Sequence, residues 1–256
     1  MTSLRDGDRG RFLEDIGVAA STLWRAPALL LAAVLVEVGI PDVLNLIWRP
    51  GKGLGGFFSA VVSLIVLAGF VGTERLWFKR LWAGDSLSLR QAAQVTRVYV
   101  GRYVRLGLMA TIATLMPFSL AAGLVLRMVD PRPSRAAFGM FILAFAYVWV
   151  VIGDVLATFM TPALAFSTAS ARRAWAIGWQ LVRREWPASA PYVVFPPLAF
   201  VIGTRLIVSS GQHWVGYALG PVATVVALVV KGATARFYLR LDIPAEAGAE
   251  PLCQAG

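Results

Sequence analysis

Leu54-Gly-Gly-Phe-Phe-Ser-Ala-Val-Val-Ser-Leu-Ile-Val-Leu-Ala-Gly-Phe-Val-Gly-Thr-Glu-Arg-Leu-Trp-Phe-Lys-Arg80 decides the fold. Residues 54–73 carry no ionisable side chain, and the run then closes on Glu74, Arg75, Lys79 and Arg80. A helix of about 20 apolar residues crosses the hydrocarbon core of a bilayer. Cations directly after such a run mark the side that stays in the cytoplasm. Outward from this stretch the pattern recurs. Apolar runs also cover 26–48, 106–126, 137–160, 189–208 and 215–234, and the gaps alternate between arginine-rich and arginine-poor. The expected fold is all-α, a polytopic membrane helical bundle of six transmembrane helices.

Composition agrees with lipid as the solvent. The 256 residues are 58% hydrophobic and 15% charged, with mean hydropathy +0.69. A soluble domain carries about 25% charged residues, and a lipid-facing surface removes that need. Six spans leave no room for a separate soluble catalytic domain of about 100 residues. Residues 1–242 therefore read as one integral membrane domain, followed by a polar tail, 243–256, expected to be disordered. The net charge of +10 does not point to nucleic acid, because the cations lie beside apolar runs, where topology and anionic headgroups explain them. The single cysteine, Cys253, cannot form an internal disulfide. The polar segment Met1–Arg11 lacks the layout of a cleaved signal peptide, so the first run is expected to stay as an anchor. Arginine outnumbers lysine 21 to 3, which fits a GC-rich bacterial genome.

Charge also sets orientation. With the N-terminus inside, eighteen lysines and arginines fall on the inner side and six on the outer. That bias predicts both termini in the cytoplasm of a bacterium whose inner membrane holds the chain.

The inner segments resemble one another. Arg11 to Arg25, Ser88 to Arg105 and Ala171 to Pro187 each mix arginines with apolar residues at helical spacing. In the third, Trp175, Ile177 or Gly178, and Leu181 or Val182 recur at helical spacing, and Arg172, Arg173, Gln180, Arg183 and Arg184 fill much of the rest. Such basic amphipathic helices lie along an interface. Each precedes two apolar runs. Gly72-Thr-Glu-Arg, Gly153-Asp-Val-Leu and Gly232-Ala-Thr-Ala-Arg occupy equivalent places near a period of 80. The chain thus divides into three pseudo-repeats, about 10–80, 86–165 and 168–242, each an amphipathic helix plus a transmembrane hairpin.

Pro162-Ala-Leu-Ala-Phe166, Ala174-Trp175, Trp179-Gln-Leu-Val182, Trp186-Pro187 and Phe237-Tyr-Leu-Arg-Leu-Asp242 carry a resemblance across Arg11 to Asp242. The chain resembles the membrane domain fused to some glycerophosphoryl diester phosphodiesterases and related stand-alone bacterial six-helix membrane proteins. The resemblance implies a fold. It implies no activity, because those phosphodiesterases work with histidines and metal-binding carboxylates in a separate soluble domain, and this chain has one histidine.

Ionisable groups inside apolar runs are costly and are the first functional candidates. Glu37 lies near the middle of the first run, Asp154 near the inner end of the fourth, with Glu74 equivalent in the second, and Arg205 near the outer end of the fifth. A structural reading stands ahead of a proton or cation site for each: Glu37 is expected to pair with a basic or hydroxyl group of a neighbouring helix or to lie near a water-filled vestibule, Glu74 and Asp154 to bond to the basic amphipathic helices, and Arg205 to snorkel, with a pairing of Arg205 to Glu37 or Asp42 as an alternative that no sequence pattern supports. Arg172, Arg173, Arg183 and Arg184 are the candidate lipid headgroup contacts. Trp24, Trp48, Trp77, Trp82, Trp186 and Trp214 fall near run ends, where an aromatic belt is expected. Gly216-Tyr-Ala-Leu-Gly220 permits close helix packing, within the chain or in a homo-oligomer. There is no nucleophile elbow, zinc spacing or catalytic carboxylate pair. The expectation is a non-enzymatic, lipid-interacting or scaffolding protein without cofactor or metal, its partners anionic headgroups on the cytoplasmic side. A transporter or channel using Glu37 and Asp154 is the alternative, and a lipid-modifying enzyme the least favoured.

Overall fold

The computed structural model describes residues 11–48, 54–128, 148, 157–196, 213–246 and 248–249. They are helical, with no strand among the described residues. Helix α1 is Phe12–Arg25 and α2 is Pro27–Val34; a π-helical turn, Leu35–Gly39, links α2 to α3, Ile40–Trp48. Helix α4 is Leu54–Trp82, α5 Leu89–Met128, α6 Met160–Phe166, α7 Ala171–Arg184, α8 residues 186–196 and α9 His213–Arg240. Among the described residues, three helical stretches are long and apolar enough to cross a membrane: Pro27–Leu44, Val61–Trp82 and Gly220–Arg240. Leu31, Leu35, Leu46, Ile47, Leu64, Leu108 and Ile112 are exposed around this assembly. So much exposed apolar surface is a liability in water and a match for lipid.

The second unit differs from the expectation. Residues 88–105 are not a separate interfacial helix but the first half of α5, a single helix of 40 residues. Its start is fixed by a capping box. The Ser88 N–H donates to Gln91 Oε1 at 3.0 Å, and the Gln91 N–H donates to Ser88 Oγ at 3.3 Å. Gly84, at φ +85°, turns the chain after α4 in a conformation other residues disfavour. Beyond Ser88 no proline interrupts the helix before Pro117, and Gly101 alone does not stop it.

Small residues let the helices converge. Helices α4 and α5 run antiparallel, and a Cβ on Gly72 would meet the Tyr99 ring at 2.5 Å. Thr73 and Thr96 hydroxyls bond across the same seam at 2.8 Å. A Cβ on Gly232 of α9 would lie 2.8 Å from Phe78 of α4 and 3.0 Å from Ala19 of α1. Gly178 brings α7 against the backbone of Met160 in α6. Around these contacts sits an aromatic core. Tyr192 stacks on Phe237 at 4.6 Å and meets Phe12 edge-on at 4.9 Å, while Phe159 packs on Phe237 at 5.5 Å.

Trp77 belongs to this core at 2% exposure, which removes it from the expected aromatic belt. Trp24 is 88% exposed and Trp186 also faces outward. Residues 243–246 and 248–249, in the polar tail, have defined partners. The Glu246 N–H donates to Ser167 O at 2.9 Å, and Arg102 donates to the carbonyls of Gly248 and Ala249.

Candidate functional site

Two buried charge clusters and one exposed arginine face carry the polar chemistry of the described residues.

The first cluster lies among the apolar helices. Glu37 sits in the π-helical turn. Pro41, four residues later, has no N–H to return to the Glu37 carbonyl, and the wider turn closes instead on the Ile40 N–H to Leu35 O bond. The Glu37 carboxylate accepts from Lys231 Nζ at 2.6 Å. Lys231 also donates to Glu74 Oε2 at 3.2 Å. Glu74 is fully buried, and its Oε1 accepts from Arg75 Nη1 at 3.1 Å. Arg75 Nη1 further donates to Val71 O at 2.8 Å and Nη2 to Thr161 Oγ1 at 2.7 Å. Tyr103 Oη donates to Thr161 O at 2.6 Å. Two carboxylates and two cations thus cancel, and the cluster ties the π turn, α4, α5, α6 and α9 together. Only Arg75 Nε lacks a partner among the described residues. Burying charge is costly unless it is paired and hydrogen-bonded in this way.

The second cluster joins the two ends of the chain. Asp15 of α1 is fully buried. Its Oδ2 accepts from Tyr192 Oη of α8 and from Arg240 Nη2 of α9 at 2.5 Å. Arg236 Nε lies 3.5 Å from Asp15 Oδ1, and its Nη2 donates to Glu14 Oε1 at 3.4 Å. Asp15 Oδ1, Arg236 Nη1, and Arg240 Nε and Nη1 have no hydrogen-bond partner among the described residues. Burial pushes the Asp15 carboxyl above the usual range, against the Tyr192 hydrogen bond and the pull of Arg240 and Arg236.

The third feature is the outer face of α7. Ala171, Ala174, Gly178 and Leu181 are buried, whereas Arg172, Arg173, Arg183 and Arg184 are exposed. The four arginines are not equivalent. Arg173 pairs with Glu246, and Arg184 Nε lies 3.8 Å from Glu185. Arg172 and Arg183 carry no ion pair among the described residues. Glu246 is held ionised below the usual range by the Thr168 hydroxyl, which donates to it at 2.7 Å, and by Arg173.

Of the polar residues singled out by sequence, Glu37 and Glu74 are brought together by Lys231. Glu74 does not bond to the amphipathic segments as expected; it is enclosed by its own neighbour Arg75 and by α9. Glu37 pairs with Lys231, a basic group of a neighbouring helix. Asp154 and Arg205 lie outside the described residues. Sequence reasoning missed Lys231 as a partner, although it is the one lysine within an apolar run. It also missed Asp15, Tyr192 and Arg240, which nothing local distinguishes. No group of His, Cys, Asp and Glu suited to a metal ion occurs among the described residues.

The fold and its buried ion pairs define a class: an all-helical protein with helices apolar and long enough for a membrane. Comparison with known protein families, curated protein sequences and solved structures gave no match.

Proposed function

We propose that this chain is a non-enzymatic integral membrane protein of the bacterial cytoplasmic membrane that holds anionic lipid headgroups at its cytoplasmic face. There it organises lipids or partner proteins. Six spans in three amphipathic-helix-plus-hairpin units, with both termini cytoplasmic, belong to this reading, as does the resemblance to the phosphodiesterase-associated membrane domain. The observation that carries it is the one-sided burial of α7, which leaves Arg172, Arg173, Arg183 and Arg184 exposed. Exposed cations near an anionic leaflet each contribute about 1 kcal/mol of attraction. The Glu37–Lys231–Glu74–Arg75 cluster has a structural part in this reading, as an internally neutral tie between helices. Reversing the four α7 arginines to glutamate should strip co-purifying anionic lipid from the protein, as read by native mass spectrometry. Identical lipid retention would sink the idea.

A second reading is a transporter or channel for a small solute or ion. It is supported by the place of Glu37 on a π turn, a feature frequent at functional sites, and by the partial exposure of Glu37 and Lys231 at 17% and 26%. Glu37→Gln should then abolish proton-coupled flux in reconstituted vesicles, and unchanged flux removes this reading.

A further inference from the structure

An open groove of about 290 Å³ runs between α5 and α7, lined by Met109, Ala113, Arg172, Trp175 and Ala176. Its composition is divided by chemistry. Met109 and Ala113 belong to the apolar half of α5 and give it a hydrocarbon floor. Trp175 and Ala176 form the wall on α7. Among the described residues, Arg172 is the one charged residue of the lining, and it has no ion-pair partner. Arg105 is exposed one helical turn before Met109 on the same face of α5, and it too lacks an ion pair among the described residues. Each of the two helices that line the groove thus carries an exposed arginine without an ion pair among the described residues. The neighbouring cations are already engaged: Arg102 with the Gly248 and Ala249 carbonyls and Arg173 with Glu246.

We propose that the groove between α5 and α7 binds one anionic phospholipid, its phosphate held by Arg172 and Arg105 and one acyl chain laid along Met109, Ala113 and Trp175. The volume is at the low end of the ~300–1,000 Å³ of small-molecule sites, so it takes a segment of one chain and leaves the rest in the bilayer. The fork of an arginine suits a phosphodiester better than an ammonium would. A zwitterionic lipid offers the same phosphate but brings its own cation toward the two arginines, so the groove discriminates by charge. The inference rests on the lipid-facing reading of the α7 arginines and narrows it to a single site that includes Arg172.

The test uses the full-length protein in zwitterionic nanodiscs doped with phosphatidylglycerol that carries a photoreactive group on one acyl chain. Crosslinked peptides are mapped by mass spectrometry. Adducts should concentrate on Met109–Ala113 and Trp175–Ala176 and be competed by unlabelled phosphatidylglycerol but not by phosphatidylcholine. Arg172→Gln should lower the yield at these peptides about fivefold, the equivalent of one lost phosphate contact of about 1 kcal/mol. Ala113→Trp fills the groove while keeping both arginines, and should lower it at least as much. Thermal melting of each variant confirms that it is folded. Adducts spread evenly over the lipid-facing helices, equal competition by phosphatidylcholine, or unchanged yields in both folded variants overturn the site. Wild-type protein that retains phosphatidylglycerol while its adducts avoid the groove defeats the groove alone. Retention that survives reversal of all four α7 arginines defeats the broader headgroup reading.

Discussion

The two buried clusters solve the same problem differently. Around Glu74 both carboxylates meet cations, and the charges cancel within one set of bonded groups. Around Asp15 one buried carboxylate draws two arginines, of which Arg236 Nη1 and Arg240 Nε and Nη1 have no bonded partner among the described residues. The first cluster lies among the apolar helices, with Glu37 17% and Lys231 26% exposed. The second lies where helix ends meet, and its arginines are 19–27% exposed. Glu74 and Asp15 are equally enclosed, so charge balance separates the two: the first matches two carboxylates to two cations, and the second sets one buried carboxylate against two.

The largest expected effect comes from breaking the balanced cluster. Glu74→Gln leaves Arg75 and Lys231 facing an uncharged amide in a buried site. Loss of one partner of a buried pair costs about 3–5 kcal/mol, so thermal unfolding in mild detergent should fall steeply; a midpoint equal to wild type would show that the pairing is not structural. Asp15→Asn should move the midpoint little, by less than about 1 kcal/mol, because burial already disfavours the ionised carboxyl and Arg236 and Arg240 are partly exposed. If Asp15→Asn proves the more damaging of the two, the charge-balance argument fails.

Acid should pull two carboxylates in opposite directions. Asp15 titrates above its ordinary value of 3.8 in the folded chain. Its contribution is complete below the unfolded value and is lost as pH rises through the folded one, so acidification tightens α1 on α9. Glu246 titrates below its ordinary 4.5. Its contribution is present above that value and is lost as pH falls through the folded one, so acid frees the tail. Hydrogen exchange, corrected for intrinsic rates, should slow in α1 and quicken at 243–249 over the same descent. Parallel changes in both segments would remove the distinction. The smallest effect belongs to Glu246→Gln, which should reproduce the acid-induced exchange of the tail at neutral pH without moving the unfolding midpoint.

Much of this arrangement was visible before the fold. The apolar run 54–73 and its charged end forecast α4, and Glu37 and Glu74 stood out because ionisable groups are rare in such runs. The partners were harder to see. Lys231 is 157 residues from Glu74 along the chain, and no local pattern links them. The π turn leaves no periodic trace, since an inserted residue merely shifts the apolar stripe around the helix. The one-helix nature of α5 was obscured by a change of surroundings, polar then apolar, that alters composition without altering backbone preference. Asp15 looked like one acid in a mixed-charge helix; its burial is decided by Tyr192 and Arg240, which only folding brings near.

The bond between Asp15 and Arg240 spans 225 residues, and that distance orders events during synthesis. At about 5–20 residues per second, α1 emerges roughly 10–45 s before Arg240 exists. Through that interval its acidic side chain has neither arginine to meet. Helix α1 completes its buried contacts only once α9 has been made, and the closing of this seam reports that α9 has arrived.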